Sequence, residues 1–177
     1  MTSDIQPLRV VESRPEQVLG VTPAVQDGER LSASMPIRPF LAGPGGRVGA
    51  GCLGVLIDNV IGYAVMLRRP PDMWSVTTEM TLDMARPVPG YGEVVVTGGL
   101  DHSGEHGAIA SGRVVDADGN LIAVCRQHGR FVPGLPAATL PTDVADRPSP
   151  ADRPGATLVD LLDGRVDIGD GRAELTM

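Results

Sequence analysis

The sequence predicts an α+β domain in which one long buried helix is wrapped by a curved antiparallel sheet. Three observations carry that expectation. Residues 48–66 are apolar except for Asp58, Asn59 and the hydroxyl of Tyr63, so a helix there is apolar on nearly every side and must be covered. A strand pattern precedes this run. Four more follow it, joined by turns too short for anything but antiparallel neighbours. A sheet curved around the helix covers it economically.

Each element follows from local chemistry. Residues 1–17 read as a lead-in, with one helical turn over residues 15–19 that starts on Pro15 and stops at Gly20. The Asp27-Gly28 turn separates two extended pieces. In the second, Leu31, Ala33 and Met35 alternate with Ser32 and Ser34, as in a half-buried strand. Gly43-Pro44-Gly45-Gly46 is a loop that lets backbone approach another group closely. The apolar helix then runs to Arg68 and Arg69, cations suited to a helix C-terminus, and Pro70-Pro71 stops it. Val76, Thr78, Met80, Leu82 and Met84 alternate with Ser75, Thr77, Glu79, Thr81 and Asp83 as a strand. Strands over residues 93–100, 108–115 and 121–132 follow, the last two joined through Asp118-Gly119.

These elements place the domain at residues 18–133. Pro136, Pro141, Pro148, Pro150 and Pro154 make residues 134–156 a linker. Residues 157–177 are strand-like again. Their spacing of Leu162 to Asp170-Gly171 repeats that of Leu19 to Asp27-Gly28. The segment is either the start of a second copy of the domain or a hairpin covering a sheet edge.

Composition removes several functions. The 177 residues carry a net charge of -7, with 42% hydrophobic, 21% charged and 3% aromatic, and all 15 basic residues are arginine. Without lysine there is no Schiff-base amine and no Walker phosphate-loop lysine. An acidic chain poor in aromatics is a poor nucleic-acid binder. Cys52 and Cys125 lie in apolar runs without metal spacing and read as buried thiols in a reducing compartment. The N-terminus lacks a signal-peptide pattern. Asp58 in the middle of the apolar run argues against a membrane span. A cytoplasmic protein is expected.

The motifs are more specific than the composition. The helix start Gly49-Ala-Gly51-Cys-Leu-Gly54-Val-Leu-Ile-Asp58-Asn59 resembles that of hotdog-fold acyl-CoA thioesterases of the phenylacetyl-CoA and 4-hydroxybenzoyl-CoA types, whose usual pattern is His-Gly-Gly, six residues, then Asp. Ser75-Val-Thr77-Thr-Glu79 resembles the family's second strand, Ala85-Arg86-Pro87-Val88 its Arg-Pro turn, and residues 112–123 its last hairpin. The resemblance covers residues 18–133. It implies a hotdog fold, an acyl-CoA substrate, no cofactor beyond the coenzyme A of that substrate, and assembly as a homodimer, a dimer of dimers or a tandem hotdog.

It also implies roles. Asp58 becomes the nucleophile or general base acting on a thioester or its attacking water. A lone acid in an apolar run already marks a site, because burial without partners is costly. The plain alternative is an Asp that faces solvent. Ala50 and Gly51, at the helix start, offer backbone N–H groups to an oxyanion, against an alternative of close glycine packing. Thr77 matches a Ser or Thr that positions water across a subunit interface, against an ordinary β-branched strand residue. Gly49, Asn59 and Arg86 are the candidate substrate contacts. Asp58 and Thr77, on different elements, are expected to converge between protomers or tandem halves.

Two departures stand out. Gly49 replaces the family's His, and an Asn or Gln of the preceding loop falls near Gly43. They keep a second reading open: a non-catalytic acyl-CoA-binding or assembly module with a degenerate site. A hotdog hydratase is a third, weakened because no His follows Asp58 in its helix. His102, His106 and His128 read as solvated turn and strand residues rather than metal ligands.

Overall fold

The computed structural model describes residues 14–43 and 45–134, and the backbone of two further strands over residues 165–169 and 172–176. A short helix, α1 (Arg14–Leu19), opens it, followed by strands β1 (Val25–Asp27) and β2 (Arg30–Ile37). After a 3-10 turn at Pro39–Leu41 comes the central helix, then β3 (Met73–Met84), β4 (Gly92–Ser103), β5 (Gly107–Asp116) and β6 (Leu121–Pro133). All six strands form one antiparallel sheet in the order β1-β2-β4-β5-β6-β3. The sheet curves around the helix as the sequence predicts. The helix packs on to β2, β4, β5 and β6 and touches β3 at the sheet's far edge. The expectation that each strand after the helix pairs with the next is corrected for the first of them: β3 pairs with β6 and not with β4, so the turn between β3 and β4 crosses from one edge of the sheet to its interior.

The central helix is not one regular rod. It begins as a 3-10 turn (Ala50–Cys52), becomes α over Leu53–Ile57, widens into a π turn at Asp58–Gly62 and returns to α over Tyr63–Met66. Leu53, Leu56, Ile57, Val60, Ile61 and Val65 are fully buried against the sheet. Burying each such side chain is worth about 1.5–3 kcal/mol, so this face holds the fold together. The approach is close: a Cβ on Gly98 of β4 would collide with Ile61. The other stripe, through Gly51, Val55, Asp58 and Gly62, is uncovered or only partly covered within the chain. At the C-terminal end, Arg69 Nη1 donates to the Met66 carbonyl at 3.0 Å, the arginine cap expected of that position.

α1 belongs to the domain, which therefore begins before residue 18. Its Glu16 is buried and bonded to the central helix, and Leu19 enters the core. The segment over residues 134–156 lies outside the described residues beyond Gly134. The last two strands, β7 (Arg165–Gly169) and β8 (Arg172–Thr176), pair as an antiparallel hairpin and form a separate two-stranded sheet.

Candidate functional site

Asp58 opens the π turn, a rare feature that is frequent at functional sites. Its carboxylate is exposed in the single chain, not buried as the apolar run suggests, because the open stripe of the helix carries it beside β3. Thr77 Oγ1 donates to Asp58 Oδ1 at 2.9 Å. Gln127 Nε2 donates to the same oxygen at 2.9 Å and to Thr77 Oγ1 at 2.7 Å. The three side chains close a hydrogen-bonded triangle drawn from the helix, β3 and β6. The expectation that Asp58 and Thr77 converge between protomers or between tandem halves is corrected: they meet within one copy of the domain.

A β-bulge in β3 makes this possible. Thr77 pairs with Gly129 and Met80 pairs with Gln127, with a register shift between Thr77 and Glu79. Gly129 and Gln127 share one face of β6, so Thr77 and Met80 share one face of β3 although they are three positions apart. Unbroken alternation would turn Thr77 away from the helix, with Glu79 and Thr81. The extra residue, Thr78, re-aims the strand. Its own hydroxyl donates to the His128 carbonyl at 3.0 Å.

Gln127 is the site residue that sequence reasoning missed. It is 2% exposed, and its Oε1 has no hydrogen-bond partner among the described residues. A buried amide placed among apolar strand neighbours (Ala123 and Cys125 on the same face of β6) was the available signal, since such a group needs a polar partner inside the fold. Gly62 provides the space. A Cβ there would lie 2.6 Å from Asp58 Oδ1 and 2.7 Å from Gln127 Nε2. Only glycine at this position lets the carboxylate and the amide meet.

The helix start lies elsewhere. The N–H groups of Ala50 and Gly51 have no acceptor among the described residues. A Cβ on Gly49, Gly51 or Gly54 would meet nothing within 4 Å, and none of the three has positive φ. Packing inside this chain therefore does not require those glycines, which removes the close-packing alternative within one chain. Eight residues separate Ala50 from Asp58, about 12 Å of helix at 1.5 Å per residue.

The remaining candidates are not at the carboxylate. Asn59, proposed from the motif as a substrate contact, is buried, and its Nδ2 donates to Glu16 Oε1 at 2.6 Å. It faces α1 because the next position round the helix points into the fold. Arg86 lies beyond the end of β3, with its Nη1 3.6 Å from Asp116 Oδ2. The strand from Thr77 to Met84 already spans roughly 20 Å. Asp116 is held below the usual carboxylate range by the Asn120 side chain and the backbone N–H groups of Asn120 and Asp118, with Arg86 adding to this. Burial pushes the thiols of Cys52 and Cys125 up to about 11. Among the described residues no three His, Cys, Asp or Glu side chains are grouped to hold a metal ion, and no helix is long and apolar enough to cross a membrane.

The family model of the acyl-CoA thioesterase C-terminal domain matches residues 8–131. The chain belongs to this hotdog-fold thioesterase family. Solved structures agree on the fold. A thioesterase from Haemophilus influenzae superposes with a TM-score of 0.62 at 18% identity, covering 69% of this chain and 85% of its own. A mutant thioesterase from Pseudomonas aeruginosa gives 0.62 at 21%, covering 73% and 100%. The PaaI protein of the E. coli phenylacetic acid degradation operon gives 0.61 at 18%, covering 70% and 87%. No curated protein matches the chain.

Proposed function

We propose that this family member hydrolyses the thioester of an acyl-CoA, with Asp58 as general base. The observation that carries this reading is the triangle of Asp58, Thr77 and Gln127. Both donors engage Oδ1, which fixes the carboxylate of an exposed residue and leaves Oδ2 without a hydrogen bond among the described residues. Oδ2 takes a proton from water as the water oxygen attacks the thioester carbonyl. The tetrahedral intermediate collapses, the C–S bond breaks, and the proton on Asp58 passes to the departing thiolate. Water and thioester become a carboxylic acid and free coenzyme A.

The oxyanion needs donors, and the amides of Ala50 and Gly51 suit it. Because they stand about 12 Å from Asp58 in the same chain, one carbonyl cannot touch both. The reading is a homodimer in which the helix start of a second copy completes each site, with Gly49 leaving room for the acyl-CoA. Two features support this assembly: β3 is a long unpaired edge carrying exposed Trp74, Val76 and Met84, and the glycine-rich helix start is uncovered. Arg86 is proposed to meet a coenzyme A phosphate at the far end of β3.

The test is release of free thiol from a panel of acyl-CoAs by wild type and by Asp58→Asn. Release by wild type that the substitution abolishes supports the hydrolase. Binding of acyl-CoA without release by either protein favours the non-catalytic module instead.

A further inference from the structure

Thr77 and Gln127 grip the Asp58 side chain from the β3 side, but the π turn that carries it is fixed from the opposite side. Asn59, the second residue of that turn, is 8% exposed, and Glu16 of α1 is 9% exposed. The 2.6 Å bond from Asn59 Nδ2 to Glu16 Oε1 joins them across 43 residues of chain. Asn59 Oδ1 has no partner among the described residues, so the bond to Glu16 is what orients this amide.

We propose that Glu16 is a positioning residue for the Asp58 carboxylate, acting through Asn59 and the π turn. This rests on the hydrolytic reading above and adds to it a residue from α1, outside the helix-start motif of residues 49–59. A π turn holds one residue more than an α turn. Rewinding it to α geometry would rotate the adjoining helix by about 100°, the angle per residue. Asp58 and Asn59 are adjacent, so the direction of Asp58 depends on where Asn59 is pinned. Glu16 is itself set rigidly. The N–H of Val21 donates to the Glu16 carbonyl at 2.9 Å and that of Gly20 to the Gln17 carbonyl at 3.2 Å. With Gly20 at φ +70, this is a Schellman closure of α1. Leu19 beside it is buried in the core. Glu16 touches no reacting atom; it holds the turn whose first residue does.

The experiment compares Glu16→Ala and Glu16→Gln in the full chain. With an acyl-CoA substrate, Glu16→Ala should lower kcat by about tenfold to a hundredfold, the effect of a displacement of about 1 Å at a reacting group, while KM stays nearly constant. Glu16→Gln keeps a carbonyl oxygen for Asn59 Nδ2 and should restore most of the rate. A second readout does not depend on turnover. In the 15N-labelled chain the Gln127 side-chain amide resonance, which reports its bond to Asp58, should move in Glu16→Ala and stay in place in Glu16→Gln. If Glu16→Ala does not fold, Glu16→Asp, one methylene shorter, replaces it with the same expected pattern. A folded Glu16→Ala with wild-type kcat and an unmoved Gln127 resonance overturns the proposal, as does equal loss in the alanine and glutamine variants. If wild type releases no thiol, hydrolysis fails as a reading, and the Gln127 resonance alone decides the role of Glu16.

Discussion

Gln127 Nε2 sits 2.9 Å from Asp58 Oδ1, although 69 residues separate the two along the chain. The amide comes from a fully buried position on β6, and the carboxylate from the exposed stripe of the central helix. An amide that presented its oxygen here would repel the carboxylate, so the Nε2 orientation follows from the chemistry of the pair. The contact couples a rigid sheet position to a group open to solvent, which is what a base acting on water requires.

Asp58→Asn removes the proposed proton acceptor and keeps the shape. Because Asp58 is exposed, folding stability should change by no more than about 1 kcal/mol. Thiol release from acyl-CoA should fall by roughly 10²–10⁴-fold, the usual range for a lost general base. Thermal melts and a thiol assay check the two halves separately. Near-normal turnover would take Asp58 out of the mechanism.

Gln127→Ala deletes the donor shared by Asp58 and Thr77 and leaves a hole in β6. The expected cost is about 1–3 kcal/mol of stability, from a lost buried hydrogen bond and a cavity. The rate should drop by about tenfold or more, since the carboxylate loses one of its two anchors. Thr77→Ala removes the other anchor at an exposed position and should lower the rate with little change in melting temperature.

How much of this was readable from sequence depends on the length scale of each feature. The buried helix, the β4-β5-β6 run and the hairpin at Asp118-Gly119 follow from local periodicity and turn chemistry, which the sequence displays directly. The place of β3 beside β6 does not, because the turn between β3 and β4 connects the two strands without pairing them. Asp58 and Thr77 were legible as polar groups in a motif. Their meeting in one chain was not, because it depends on a bulge at Thr78 that inverts the strand's alternation. Nothing in Thr-Thr-Glu marks where a bulge falls; the pairing with β6 decides it. Asn59 misled for a related reason. One residue round a helix separates a solvent-facing position from a buried one, and the π turn moves that boundary. Gln127 was overlooked because its partner lies on another element, and a single sequence does not show such pairings.

Gly62→Ala and Gly54→Ala form an informative pair on one helix. At Gly62 the new methyl would press on Asp58 Oδ1 and Gln127 Nε2. Turnover should fall at least about tenfold, while the better helix propensity of alanine, worth about 1 kcal/mol, offsets the crowding in stability. At Gly54 the methyl meets nothing in the chain. There the same propensity should raise stability, unless a second copy covers this face. Light scattering of wild type and Gly54→Ala distinguishes the cases. A dimer that Gly54→Ala weakens puts the helix start in the interface, and a wild-type monomer with full activity would sink the shared-site reading.

The two cysteines make the stability of the fold depend on alkaline pH. Burial raises both thiols from 9.0 to about 11 in the folded chain. The folded state therefore keeps its protons longer than the unfolded state. The stability tied to these neutral thiols is fully present below about 9, and it is lost as pH rises through about 11. Near neutrality both remain protonated, and a buried thiol is a poor nucleophile. Alkylation of the native protein by iodoacetamide should accordingly be slow at pH 7–8 and fast once the chain is unfolded in denaturant. Cys125, the more deeply buried of the two, should be the slower. Rapid labelling of Cys125 in the native protein at pH 7.5 would mean that β6 opens at this position, and with it the strand that carries Gln127.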